Sequence, residues 1–225
     1  MEVIIVSIGT LSKNPLWNER LPVRTSHATT TLIVGGGAHL LVDPSLPAQL
    51  LEARLFERTG LKPQAVTDVF LTNWRPVHRR GLELFSKARW YMHGAEIEAA
   101  GDALAAVRDR AQRTGEPMDS LVEQEEALLK RVTEPPDELA EGVDLFPLAG
   151  YTPGQCGLLV SQPTSTIVVA GDAVPTAGHF AAGQVFQDCW DLTKAKESLL
   201  EMYEIADLIV PGHDNIFVNP RAAGL

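Results

Sequence analysis

Cysteine is scarce in this chain of 225 residues, which contains only Cys156 and Cys189. The two thiols lie far apart in the sequence and form no C-x-x-C pair, so we expect neither a disulfide framework nor a soft-metal site. Basic residues are also few, since 19 lysines and arginines stand against 29 acidic residues and the net charge is −10. Such an acidic chain is poorly suited to nucleic acid or to an anionic membrane, and we predict neither partner.

Long apolar runs are absent as well, and none could cross a bilayer. The strand-like run at residues 3–6 lacks the basic n-region and long h-region of a secretory signal, so we expect a cytoplasmic protein. The remaining composition, 45% hydrophobic and 21% charged, is ordinary for a globular chain. We predict a single domain over residues 1–225 and no particular oligomeric state.

Strand-like runs and helical patterns alternate along the chain, which favours an α/β architecture. Helical spacing predicts helices over about 47–59 and 192–205, with Gly60 ending the first and Asp191 capping the second. Residues 96–132 are mainly helical and break at 114–117, so we predict a helical hairpin inserted at about 95–133. Strand signals fall at 3–6, 27–34, 39–42, 65–71, 89–93, 143–146, 157–161, 166–170 and 208–210.

Three polar loops that directly follow strand-like runs carry potential metal ligands. They contain His78, Asp172 and His213, with a glycine beside the latter two. Because strand ends of an α/β fold can meet at one edge, these side chains are candidates for a common site. One loop also carries Arg75, Arg79 and Arg80, which could hold an anion or could be solvated. We interpret Arg79, Arg80 and the charged faces of the insertion as solvated.

Five short segments occur in order along the chain: L-V-D at 41–43, L-T-N-W-R-P-V-H-R-R-G at 71–81, A-G-Y-T-P-G at 149–154, A-G-D at 170–172 and V-P-G-H at 210–213. Together they resemble the metallo-β-lactamase superfamily. In that family they correspond to an early aspartate, the T-H-x-H-x-D-H-x-G-G loop, the G-H-T-P-G segment, a bridging aspartate and a terminal histidine. The resemblance implies a four-layered αββα sandwich with its site along one edge.

The family's first metal position is eroded in this chain. Where relatives have three histidines, this sequence has Asn73, Arg75 and Tyr151. Asparagine and neutral tyrosine are poor ligands for Zn²⁺, and a guanidinium repels a cation. We therefore predict that a dinuclear centre is absent, and we assign these three residues to substrate binding.

The second metal position is better preserved, because only one of its four ligands, replaced by Val77, is lost. The resemblance implies that His78, Asp172 and His213 hold at most one Zn or Fe ion. Valine cannot manage the proton of an attacking water, so Asp172 is our candidate catalytic base. In the alternative, Arg75 fills the vacated first site and pairs with Asp172, and no metal binds.

Two functions stay open. One is a divergent hydrolase of a small ester, thioester, lactone or amide with at most one metal ion. The other is a catalytically inactive relative that serves as a scaffold or as an anion-binding module centred on Arg75. A small-molecule ligand is expected in either case.

Overall fold

The computed structural model describes residues 1–115 and 120–221 and contains two six-stranded sheets flanked by helices. The first sheet has the order β1 (Glu2–Ser7), β2 (Thr30–Gly35), β3 (Ala38–Val42), β4 (Asp68–Leu71), β5 (Arg89–Met92) and β6 (Val132–Thr133). The second contains, from one edge to the other, β7 (Glu138–Ala140), β8 (Val143–Pro147), β9 (Cys156–Gln162), β10 (Ser165–Gly171), β11 (Leu208–Pro211) and β12 (Phe217–Val218). These sheets confirm the α/β class.

The described helices differ widely in length. They are α1 (Ala48–Thr59), α2 (Pro76–Arg79), α3 (Gly94–Thr114), α4 (Ser120–Leu129), α5 (Ala177–Ala181) and α6 (Leu192–Ile205), with short 3-10 turns at Pro15–Trp17, Pro63–Ala65 and Leu82–Phe85. Asp191 caps α6 by accepting hydrogen bonds from two backbone N–H groups, and Gly60 ends α1 with a φ of 71°. Both ends agree with the sequence prediction. None of the described helices is long and apolar enough to cross a membrane.

Alternate residues of the buried strands pack into different layers of the core. Leu41 faces the helices outside the first sheet, whereas its neighbours Leu40 and Val42 face the second sheet. Val168 likewise packs against α6, while Val169 faces the first sheet. Because successive side chains of a strand point to opposite faces, strands covered on both sides read as unbroken apolar runs. The result is the expected αββα sandwich.

Parallel pairing brings several strand ends to the same edge. Strands β3 to β6 are parallel neighbours in the first sheet, as are β10 and β11 in the second. The carboxyl ends of β3, β4, β10 and β11 are followed by Asp43, Thr72, Asp172 and, two residues on, His213. The edge predicted from the sequence therefore carries the polar loops of both sheets.

Some sequence interpretations were wrong. No helix was predicted at Ala177–Ala181, where the structure has α5, whose first turn is capped by the Thr176 hydroxyl. Short strands β6, β7 and β12 carry too few residues for a periodic signal. Arg79, expected to be solvated, is buried, because its guanidinium pairs with Glu125 of α4 and stacks on Trp74 at 3.9 Å.

The insertion predicted at about 95–133 corresponds to α3 and α4. Its charged faces are not simply solvated, since Arg108 of α3 pairs with Glu126 of α4 at 3.2 Å. The predicted break at 114–117 begins with Thr114 and Gly115, where α3 ends with a φ of 69°. Residues 116 and 117 lie outside the described part. That residues 1–225 form a single domain stays a prediction.

Candidate metal centre and cleft

Three buried side chains from different elements converge at the shared edge. His78 lies in α2, Asp172 directly follows β10, and His213 follows β11. One potential ligand atom from each lies within 4.8 Å of the other two. This group, called the triad below, is the set predicted to hold a metal. The polypeptide is tightly packed here, because a Cβ atom at Gly212 would lie 2.5 Å from Asp172 Oδ1.

His78 lies between two carboxylates. Its Nδ1 is 2.9 Å from Asp43 Oδ2, and its Nε2 is 2.8 Å from Asp172 Oδ2. Burial alone would lower the pKa of this imidazole, but the charges of Asp172 and Asp43 outweigh burial and raise the pKa to about 10. Without a metal, His78 is therefore an imidazolium whose two N–H groups donate a hydrogen bond to each carboxylate.

His213 presents its Nε2 to the other oxygen of the same carboxylate. Its Nδ1 lies 2.9 Å from the carbonyl oxygen of His27, and because a carbonyl only accepts, Nδ1 carries a proton. Nε2 lies 3.1 Å from Asp172 Oδ1, yet that buried oxygen accepts no well-formed hydrogen bond from any described residue. In the neutral ring, an acceptor nitrogen would face an acceptor oxygen.

Such an arrangement requires a cation between the two acceptors, either a proton or a metal ion. Tetrahedral Zn²⁺ binds imidazole nitrogen and carboxylate oxygen at about 2.0–2.2 Å, which places its ligand atoms roughly 3.3–3.6 Å apart. The triad distances of 2.8 Å and 3.1 Å are a few tenths of an ångström shorter, so the side chains would move apart slightly to admit an ion. Asp43 and the His27 carbonyl orient the two rings, as outer partners of metal-bound histidines do. The residues present thus fit one metal ion.

Asp172 is the electrostatic centre of the site. Burial alone would raise the pKa of its carboxyl group, but the charges of His78 and His213 outweigh burial and hold the pKa well below its usual range. A permanently ionised carboxylate is a good ligand for a metal and a weak base. The ligand role is therefore favoured on physical grounds over the role of catalytic base, which stays a prediction.

An amide occupies the place of the first metal's ligand. The Asn73 side-chain oxygen accepts the backbone N–H of Arg75 at 3.0 Å, so its nitrogen points the other way. That nitrogen donates to Gln155 Oε1 at 3.0 Å and to Asp172 Oδ2 at 3.3 Å. A donor group facing the centre cannot ligate a cation. Asn73 is fully buried, so its contact with a substrate stays a prediction.

Arg75 does not enter the vacated position. Its side chain is exposed and lies over the Tyr151 ring, with 4.4 Å between the guanidinium carbon and the ring centroid. Among the described residues it forms no ion pair, so the expected pairing of Arg75 with Asp172 was wrong. The reason is local, since His78 and Asn73 already occupy Asp172 Oδ2. Burial raises the pKa of Tyr151, and the charge of Asp172 adds to the effect.

A cleft of about 650 Å³ opens beside the triad. Its size lies within the range of roughly 300–1,000 Å³ that small-molecule sites occupy. Two predicted substrate residues, Arg75 and Tyr151, line it together with His213 of the triad. The remaining lining comes from Leu11, Ser12, Lys13, Pro15, Ser26, Pro76, Val77, His179, Gln184, Val185, Phe186, Gln187 and Asp188.

Three residues that position the site were missed as site residues by sequence reasoning. Asp43 orients His78 and Gln155 anchors Asn73. Glu96, in the first turn of α3, is buried and accepts the backbone N–H groups of Trp74 and Gly154, each at 3.0 Å. It thereby joins the insertion to both loops that line the cleft. Asp43 could have been suspected from its place at a strand end, whereas Glu96 carries no local signal.

The fold and the site together define a class of αββα proteins that place metal ligands at the shared edge of two sheets. Comparison with protein families identifies that class. The model of the metallo-beta-lactamase superfamily matches residues 23–213, and the chain belongs to this superfamily. Comparison with curated proteins gives no match.

Solved structures share the fold at low sequence identity. A candidate metallo-β-lactamase from Thermotoga maritima is 17% identical with a TM-score of 0.68, over 96% of this chain and 98% of that one. AidC, a dizinc quorum-quenching lactonase, is 16% identical with a TM-score of 0.63, over 83% and 72%. An N-acyl homoserine lactone hydrolase with product at its catalytic metal center is 18% identical with a TM-score of 0.62, over 94% and 92%.

Proposed function

We propose that this protein is a hydrolase of a small ester, thioester, lactone or amide that uses one Zn or Fe ion held by His78, Asp172 and His213. The observation that carries the proposal is the unsatisfied, buried Oδ1 of Asp172 facing Nε2 of His213 at 3.1 Å. Burying a carboxylate oxygen that accepts no hydrogen bond costs at least about 1–3 kcal/mol, and a cation bound to that oxygen removes the cost.

A divalent ion in this position would polarise a carbonyl oxygen and lower the pKa of water towards neutrality. The protein's own residues supply the rest. Asp43 keeps the His78 ring oriented, and the His27 carbonyl does the same for His213. Tyr151 and Arg75 face the cleft and would orient the substrate. Asp172 would hold the metal; because its lowered pKa makes it a weak base, its role as acceptor of a proton from the attacking water stays a prediction.

The lactonases among the structural neighbours make a lactone the first substrate to try. One of these neighbours is a dizinc enzyme, and another holds its product at a catalytic metal center. In this chain Asn73 and Tyr151 stand at first-site positions, so we propose one ion instead of two. A single ion also favours substrates with good leaving groups, such as thioesters and lactones, over amides.

The test is hydrolysis of a panel of lactones, thioesters, esters and amides by the metal-free protein, by the protein reloaded with zinc or iron, and by a His78→Ala/His213→Ala variant. We expect activity only in the reloaded native chain. Equal activity in the reloaded double variant would reject the triad as the metal site. No activity in any arm, with metal bound, would reject the hydrolase.

A catalytically inactive relative is the second candidate, favoured by the loss of the first metal position and by the unpaired Arg75. In that case the cleft binds an anion or serves as a scaffold, and no substrate is turned over. A cytoplasmic location and the lack of nucleic-acid or membrane partners remain part of the proposal.

A further inference from the structure

We infer that the cleft takes an organic carboxylate with an apolar body, whose carboxylate is held by the Arg75 guanidinium. The inference rests on the proposed function only in taking this anion as the substrate, since Arg75 is not part of the triad. Two groups of observations support it: the presentation of Arg75, and the mixture of basic and apolar side chains that line the cleft.

Neighbouring residues hold Arg75 in position, but none of the described residues pairs with its guanidinium N–H groups. Its guanidinium carbon lies over the Tyr151 ring, 4.4 Å from the centroid, and that ring packs on Phe186 with 4.9 Å between centroids. Its backbone N–H is fixed by Asn73, and the following Pro76 restricts the chain at the start of α2. Within the described residues, none of its side-chain N–H groups donates a hydrogen bond.

A stacked guanidinium keeps its edges free, and those edges match a carboxylate with two parallel hydrogen bonds. Stacking also limits the rotamers of the long side chain, so less conformational entropy is lost when an anion binds. The side chain is therefore prepared for a planar anion.

The charges that line the cleft also favour an anion, although the whole chain carries −10. Lys13 lies on the same cleft as Arg75, and Asp188 is its single lining carboxylate. No ion pair joins Asp188 to either cation among the described residues. The lining residues thus carry one more positive than negative charge, which attracts anions, although the buried, ionised Asp172 behind His213 offsets part of this excess.

Apolar side chains form part of the cleft lining. Leu11, Val77, Val185 and Phe186 contribute to it, and the cleft volume of about 650 Å³ far exceeds that of an inorganic ion. An apolar body placed against these side chains would gain about 25 cal/mol for each Å² removed from water. The ligand thus combines a carboxylate with an alkyl or aryl group, and inorganic phosphate or acetate would leave these apolar side chains hydrated.

The test compares phenylacetate, its neutral analogue phenylacetamide, and acetate as ligands of the full chain in the presence of a chelator. Chelation removes any contribution from a metal-bound carboxylate. We expect phenylacetate to bind at least about tenfold more tightly than phenylacetamide, because charge-assisted hydrogen bonds are worth roughly that factor or more. It should also bind at least about tenfold more tightly than acetate, because only its ring removes apolar surface from water. Arg75→Met should abolish the preference, Arg75→Lys should keep part of it, and the matched Arg110→Met on the exposed face of α3 should keep all of it.

Equal binding of phenylacetate and phenylacetamide to the native chain would overturn the inference, as would an undiminished preference in Arg75→Met. The comparison of ligands on the native chain stands even if the variant does not fold. If the native chain prefers phenylacetate but the triad binds no zinc, the proposed hydrolase is rejected and the inferred carboxylate site at Arg75 is retained. Zinc-dependent hydrolysis without any carboxylate preference would reject this inference alone.

Discussion

Zinc affinity should rise steeply with pH, because the metal must displace a proton from His78. The pKa of His78 is raised to about 10 by Asp172 and Asp43, against the opposing effect of burial. Because pH 7 lies about three units below that pKa, removing the proton from His78 costs roughly 4 kcal/mol, at about 1.36 kcal/mol per unit. Structural Zn²⁺ in zinc-finger peptides binds with an apparent free energy of about 10–16 kcal/mol at pH 7, so a proton cost of roughly 4 kcal/mol does not by itself prevent binding.

The measurement is zinc affinity at pH 7, 8 and 9 by competition with a chromophoric chelator. We expect an increase of about tenfold for each pH unit, because one proton leaves for each ion bound. Asp43→Asn removes one of the charges that raise the pKa of His78, so its affinity should level off at a lower pH. An affinity that does not change between pH 7 and 9 would refute the reasoning.

Three further predictions follow from named contacts. In the metal-free protein, the raised pKa of His78 stabilises the fold, and this stabilisation is complete below the unfolded pKa of about 6.5. The free energy of unfolding measured in urea should therefore fall as the pH rises from about 6.5 towards about 10. A His78→Gln variant should show no such fall. Glu96→Gln should lower the free energy of unfolding by about 1–3 kcal/mol, since one buried N–H loses its acceptor. The matched Glu98→Gln, at an exposed position, should lower it by under about 0.5 kcal/mol. Equal effects of the two substitutions would contradict the role of Glu96. Arg79→Met should destabilise by about 1–3 kcal/mol through loss of its buried pairing and stacking, and an unchanged urea midpoint would contradict it.

Much of the fold follows from patterns that are local in the sequence. The β-branched and apolar runs predicted the longer strands, and Asp191 and Gly60 marked helix ends because capping depends on nearby residues. Strands β6, β7 and β12 have two or three residues each, which is too short for a period to register. Helix α5 was missed because glycine and alanine carry little hydrophobic pattern, and the capping by Thr176 was overlooked.

The site was predictable only in part, for a related reason. His78, Asp172 and His213 each follow an apolar run, and the fold brings their ligand atoms together as expected. Where Arg75 points depends on a ring contributed by Tyr151 from a distant loop, which no local pattern reveals. The same holds for Glu96, whose two hydrogen bonds join residues far apart in the sequence.

The central claim is that this member of the metallo-beta-lactamase superfamily binds one metal ion, at His78, Asp172 and His213. Native mass spectrometry combined with elemental analysis, on protein purified without added metal and again after titration with zinc, measures this directly. The account predicts one ion per chain in the native protein and none in the His78→Ala/His213→Ala variant. Two ions per chain, no ion even after titration, or one ion retained by the variant would contradict it.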